Sequence, residues 1–205
     1  MLMEPFTTVS SPTVVLLDPD IDTDVITPMK RMMERGDRPL HHYAFEALRY
    51  VDGDGDRAEP DPRFCLNRPG ADGAAIMLTG PNFGCGSSRE SAAAVLAELG
   101  IRCLIGTSFG DIFFNNCFQQ GMLAIVVDRQ ALDRLVAVTG GLSVDLERQE
   151  IATPDGSRIA FECNPLRRRS LLAGLDDIGL TLTHRAAIDA FRAADRKRRP
   201  WIHLL

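Results

Sequence analysis

The 205-residue sequence lacks several features that would place it in a class at once. Its five cysteines, Cys65, Cys85, Cys103, Cys117 and Cys163, are odd in number and far apart, with no C-x-x-C pair. Neither a disulfide framework nor a zinc or iron–sulfur ligand set fits that spacing, and four of the five read as small buried hydrophobes. No apolar run reaches the roughly 18 residues a membrane helix needs. The opening Met1-Leu2-Met3-Glu4-Pro5-Phe6 has neither the basic nor the apolar stretch of a secretory leader. These absences point to a cytoplasmic protein with no membrane partner. A basic excess is missing too: 23 Lys and Arg stand against 28 Asp and Glu, a net charge of −5, which argues against nucleic acid as partner. The histidines, His41, His42, His184 and His203, are scattered without metal-ligand spacing.

What is present is an ordinary folded composition, 45% apolar and 25% charged, long enough to bury a sizeable core. No repeat and no low-complexity linker interrupts it, so a single domain over 1–205 is expected. Thr13 to Leu17 is a β-branched run ending in the turn Asp18-Pro19-Asp20, hence a strand. A helix is expected around His42 to Tyr50. Asp52-Gly53-Asp54-Gly55-Asp56 begins like a calcium loop, but position six is Arg57 and position twelve Arg63, so it reads as a solvated turn.

The middle of the chain alternates clearly. Ala74 to Leu78 reads as a strand, Ser88 to Leu99 as a helix stopped by Gly100, and Ile101 to Ile105 as a strand. A helix over Phe109 to Gln120, stopped by Gly121, then feeds a strand over Met122 to Val127. Repeated β-α-β order predicts an α/β fold with a mostly parallel sheet flanked by helices. After a helix near Ala131 to Val138, the runs Val144 to Ile151 and Arg158 to Cys163 flank Pro154-Asp155-Gly156-Ser157, which predicts a peripheral hairpin. A last helix, His184 to Lys197, places Ala187, Ile188, Phe191 and Ala194 on one face. The basic runs Arg167-Arg168-Arg169 and Arg196-Lys197-Arg198-Arg199 read as solvated or subunit-facing.

Chemistry concentrates in Gly80-Pro81-Asn82-Phe83-Gly84-Cys85-Gly86-Ser87-Ser88-Arg89-Glu90, between a strand and a helix start. Glycines allow close backbone approach there, and the N–H groups and dipole of the helix favour an anion. The string is neither a Walker loop nor G-x-G-x-x-G. Two readings stand side by side. In one, Ser87 and Glu90 form an S-x-x-E capping box and the glycines only make a turn. In the other, Arg89 supplies a fixed cation with a bidentate fork beside two hydroxyls, a site for a carboxylate.

Four ordered motifs carry a resemblance that spans nearly the whole chain. They are Asp22-Thr23-Asp24 with Ile26 and Pro28, Asn82 to Glu90, Ser108 to Asn116, and Gly174-Leu175-Asp176-Asp177-Ile178-Gly179-Leu180-Thr181-Leu182. Together they resemble the small subunit of 3-isopropylmalate dehydratase, the swivelling domain of the aconitase superfamily. The resemblance implies a β/β/α swivelling domain that works only with a large subunit that bears a [4Fe–4S] cluster, this chain binding none itself. It implies a hydro-lyase of leucine biosynthesis that isomerises 2-isopropylmalate to 3-isopropylmalate by dehydration and rehydration. It also implies that Ser87 is the base taking the C–H proton, with Arg89 stabilising the alkoxide. Ser88 is expected to contact substrate, and Asp24 to orient an arginine, the plainer reading of Asp24 being an Asx-turn. Lys30, Arg31 and Arg35 lie in the segment that closes over substrate, the plainer reading there being a solvated basic loop. Cys85 either supports the loop or approaches the cluster, and a thiol at that place is expected to be prone to oxidation.

Two positions depart from the family pattern. Residue 91 is Ser where the string S-S-R-E usually continues with His, and Met29-Lys30-Arg31-Met32 replaces a K-x-F-L pattern. Both fall near the expected site. They keep open a related hydro-lyase acting on a smaller or different hydroxyacid, such as citramalate, a dimethylmalate or a homoaconitate-like compound. A non-catalytic interaction module on the same fold is a further alternative, against which the intact Ser87, Ser88, Arg89 and Asp24 argue.

Overall fold

A computed structural model describes residues 3–34, 38–52 and 59–203. The chain opens with two short strands, β1 (Thr8–Ser11) and β2 (Thr13–Leu16), then the short helices α1 (Thr23–Ile26), α2 (Met29–Met33) and α3 (Glu46–Arg49). The regular centre follows: β3 (Ile76–Thr79), α4 (Glu90–Glu98), β4 (Cys103–Gly106), α5 (Asp111–Gln119), β5 (Leu123–Val126) and α6 (Arg129–Val136). Next come β6 (Leu142–Asp145), β7 (Glu150–Ala152), β8 (Arg158–Ala160) and the helices α7 (Pro165–Ala173), α8 (Asp177–Leu182) and α9 (Arg185–Arg198).

The strands make two four-stranded sheets. One is parallel in the order β2-β3-β4-β5, and the other antiparallel in the order β1-β6-β7-β8. Because the parallel order follows the chain, right-handed crossovers put every connection on the same face of that sheet. Strand alternation then divides the core cleanly. Met77, Leu104 and Ala124 pack towards Ala92, Ala93, Leu96, Phe113 and Cys117 of α4 and α5. Their strand neighbours Ile76, Leu78, Cys103, Ile105, Leu123 and Ile125 face Leu142, Val144 and Ile151 of the antiparallel sheet. The result is three layers, helix on sheet on sheet. The hairpin expected around Pro154–Ser157 is present as β7–β8, and it forms the outer half of the second sheet.

Three local expectations change. The helix expected over His42 to Tyr50 is interrupted: a 3-10 turn covers Leu40–Tyr43 and α3 begins only at Glu46. Between them Phe45 takes a left-handed φ of 56° while its ring is fully buried and its N–H donates to Ile26 O. Burying that ring outweighs helical continuity. The run Val144 to Ile151 is two strands, because Asp145 Oδ1 accepts from Arg148 N at 2.8 Å and Gln149 has φ 55°. The last helix forms as expected, yet neither α8 nor α9 buries a residue. Of the calcium-loop reading, Gly53 to Arg57 lie outside the described residues.

Candidate active site

The D-T-D and G-C-G-S-S-R motifs meet because β2 and β3 are adjacent and parallel, so the segments leaving their carboxyl ends run on side by side. Gly84 N–H donates to Ile21 O at 2.7 Å and Thr23 N–H to Cys85 O at 2.9 Å. The buried Thr23 then donates its hydroxyl to Ser87 O at 3.0 Å. Glycine is required twice on this path. A Cβ on Gly80 would lie 2.3 Å from Leu17 O, and one on Gly84, where φ is 75°, would lie 2.2 Å from the Phe113 ring. On the other flank Ser108 Oγ accepts from Asn82 N at 2.8 Å, and Asn82 Nδ2 donates to Asp20 Oδ1 at 2.7 Å.

The loop delivers Ser87 and Ser88 to the surface, both exposed. Helix α4 begins at Glu90 with Arg89 in the N-cap position and no side chain capping it. The capping-box reading is therefore corrected: Ser87 lies outside the helix, and its hydroxyl is not spent on a helix N–H. Arg89 is nearly buried and pairs with Asp24, NH1 to Oδ1 and NH2 to Oδ2, the second at 2.7 Å. NH1 also donates to Thr27 O at 3.3 Å, while the buried Nε has no partner among the described residues. Asp24 additionally accepts from Met29 N at 3.1 Å. The Arg89 guanidinium beside it, helped by that backbone bond, holds the Asp24 carboxyl below its ordinary value despite some desolvation. The Asx-turn belongs to Asp22, whose Oδ1 accepts from Val25 N at 2.8 Å as the N-cap of α1.

The basic segment is not uniform. Lys30 is exposed on α2, next to the Met29 amide that touches Asp24. Arg31 turns inward: Nε donates to both Glu46 oxygens at 3.0 Å, and the guanidinium lies 4.4 Å from the Tyr43 ring centroid. Both partners of that ion pair are buried. This corrects the expectation that Arg31 meets substrate, since its fork is occupied in holding α2 to α3. Arg35 lies outside the described residues. Cys85 is half-buried, and its thiol is pushed up by burial and by the neighbouring Asp20 and Asp22.

Thr23 and Glu46 belong to the site region without standing out in the sequence. Thr23 has a signal, its place inside D-T-D; Glu46 has none, because its partner is set by tertiary packing. Ser91, a departure from the family pattern, donates its hydroxyl to Met32 Sδ at 3.3 Å. The two departures thus touch each other. Among the described residues no three His, Cys, Asp or Glu side chains are grouped to hold a metal ion. Among the same residues no helix is long and apolar enough to cross a membrane.

A parallel sheet ending in two paired loops, with a nearly buried arginine held by a half-exposed aspartate beside exposed hydroxyls, defines the class. Residues 3–130 match the family model described as the aconitase C-terminal domain. Residues 177–203 match the model for the C-terminal domain of the 3-isopropylmalate dehydratase small subunit. A small subunit from Agrobacterium fabrum is 46% identical, the alignment covering 97% of this chain and 100% of that one. One from Gluconacetobacter diazotrophicus is 47% identical with 97% of each chain covered. A crystal structure of a 3-isopropylmalate dehydratase from Methanocaldococcus jannaschii superposes with a TM-score of 0.62 at 25% identity, over 90% of this chain and 99% of that one. The chain belongs to the 3-isopropylmalate dehydratase small subunit family.

Proposed function

We propose that the chain is the small subunit of a hydro-lyase that isomerises 2-isopropylmalate to 3-isopropylmalate, paired with an iron–sulfur large subunit. The observation that carries this reading is the Asp24–Arg89 pair beside the Ser87 and Ser88 hydroxyls, on a chain 46% identical over 97% of its length to a small subunit of that name. Cys65, Cys103 and Cys117 are buried, and among the described residues no three His, Cys, Asp or Glu side chains are grouped to hold a metal ion. In this reading the cluster sits on the large subunit, where it supplies a Lewis acid for the leaving hydroxyl.

This chain's own part is the proton at the carbon next to a carboxylate. Ser87 Oγ takes it as base. A serine alkoxide is costly, each unit of pKa above the working pH being worth about 1.36 kcal/mol. Two features of the chain lower that cost. No side chain caps the amino end of α4, whose dipole favours the developing charge, and Arg89 holds a positive charge two residues away. Asp24 keeps that charge in place, so Arg89 acts through its fixed position more than as a clamp on substrate. Ser88 and Lys30 are the contacts for a substrate carboxylate.

A second reading differs only in the substrate's side group. The Ser91–Met32 contact supports it, because both altered positions lie against each other at the start of α4 and on α2. Reconstitution with the large subunit of the same organism under anaerobic conditions decides between them. Faster turnover of 2-isopropylmalate than of methyl-substituted malates upholds the first reading, and the reverse order upholds the second. Absence of turnover on every such acid removes both.

A further inference from the structure

The last 27 residues that match a family model of their own, 177–203, form an arm with little attachment to the body. Neither of its helices buries a residue, and Ile178, Leu182, Phe191, Trp201 and Ile202 are each at least half exposed. Ile178 and Leu182 share one face of α8, as do Ala187, Ile188, Phe191 and Ala194 on α9. So large an apolar surface on a short segment contributes nothing to this chain's own core. At the root of the arm a groove of about 310 Å³ continues it onto the body, lined by Phe118, Leu166, Leu175 and Leu180.

We infer that this arm is the element by which the chain docks onto its large subunit, an inference that rests on the function proposed above. Two observations choose that occupant. The match to the aconitase C-terminal domain ends at residue 130, whereas the arm matches a model described as the C-terminal domain of the 3-isopropylmalate dehydratase small subunit. A domain that is part of a longer chain is held by its peptide link; a separate subunit needs a contact in its place. Charge is the second. The arm carries six Arg and Lys, Arg185, Arg192, Arg196, Lys197, Arg198 and Arg199, against three Asp, inside a chain of net charge −5. It therefore fits an apolar patch rimmed by acidic residues on the partner.

The arm holds the chain's only tryptophan, Trp201, which reports on docking directly. Small subunit labelled with fluorotryptophan is titrated with the large subunit, and binding is followed by the fluorine resonance and by sedimentation. Docking shifts the resonance on complex formation. Phe191→Glu, Trp201→Glu and the double charge reversal Arg196→Glu, Lys197→Glu alter only exposed positions, so their folds are checked against wild type by circular dichroism. Each apolar variant is expected to raise the Kd for the large subunit by about tenfold or more. The charge reversal is expected to slow association and to flatten its salt dependence. Turnover at saturating large subunit stays at the wild-type level in all three. Unchanged affinity in every variant, or a resonance that does not move while the subunits pair, overturns the inference and leaves the proposed function standing. Self-association of the isolated chain that the variants abolish, with pairing untouched, assigns the arm to a second copy and also overturns it. Failure of the wild-type chain to pair at all removes the inference together with the proposed function.

Discussion

Asp24 and Arg89 lie 65 residues apart in the chain and hold each other through both guanidinium NH groups. The aspartate is half exposed and the arginine nearly buried, so the pair presents a fixed positive charge under a water-accessible carboxylate. Asp24→Asn keeps the shape but removes the counter-charge, and is expected to lower kcat by about tenfold or more through loss of the Arg89 position. Steady-state kinetics of the reconstituted complex checks this, with Asp24→Glu expected to restore part of the loss.

The same pair gives a pH dependence of stability. Asp24 is held below its ordinary value of 3.8 in the folded chain, so its contribution is complete above that value and is lost as pH falls through the folded one. Water screens the half-exposed carboxylate, which limits the contribution to about 0.5–1 kcal/mol. Urea unfolding of wild type and Asp24→Asn should differ by that amount at about pH 6, and the difference should shrink as pH falls below 3.8.

Ser87→Ala is expected to leave subunit pairing intact and reduce turnover by about 10²–10⁴-fold. Sedimentation of the complex and a turnover assay on the same preparation separate the two effects. Normal turnover in that variant would remove Ser87 as the base.

Arg31 and Glu46 form a buried ion pair covered by Tyr43, and removing one partner strands the other. Glu46→Gln is expected to cost about 3–5 kcal/mol in denaturant unfolding. The double change Arg31→Met, Glu46→Leu should recover most of that loss, since apolar side chains can occupy such a place. A pure change in KM with full stability would instead return Arg31 to the substrate.

Gly73 and Gly84 share a left-handed φ, 73° and 75°, but differ in what surrounds them. A methyl group at Gly73 meets open space, and at Gly84 it meets the Phe113 ring. Gly73→Ala should cost about 1–2 kcal/mol from backbone strain alone. Gly84→Ala should cost about 1–3 kcal/mol more through overpacking, visible as a larger fall in Tm.

Ser91 and Met32 offer a test of the side-group reading. Ser91→His needs the space that Met32 Sδ now occupies, so it should change selectivity between 2-isopropylmalate and a methyl-substituted malate by about tenfold or more in kcat/KM. Adding Met32→Leu should shift it further in the same direction. Equal effects on both acids would place the contact away from the side group.

The alternation from Ala74 to Val127 is legible in the sequence because each helix there ends at a glycine and each strand is an apolar run. The break in the helix around His42 to Tyr50 is not, since it comes from the burial of the Phe45 ring between Phe64 and Phe83, a tertiary effect. The glycine-rich loop and the D-T-D segment both carry recognisable motifs. That Asp24 pairs with Arg89 depends on β2 and β3 being adjacent, which local sequence does not state. Arg31 and Lys30 look alike in sequence, and only the distant Glu46 turns the first inward and leaves the second outside. The C-terminal helix is legible from its period; that its apolar face has no cover among the described residues is not.

The pairing of β1 with β6 sets Thr8 opposite Asp145. During synthesis β1 therefore waits for more than half of the chain before its neighbour exists, while β3-α4-β4 and β4-α5-β5 need only local segments and β2 finds β3 well before β6 is made. Closing so long a loop is entropically slower than closing the short ones. The helix-covered face of the parallel sheet, and with it the loops that bear Asp24 and Ser87, is thus placed to assemble first. The antiparallel sheet closes over the other face afterwards, as the last step in hiding Ile76, Ile105 and Ile125 from water.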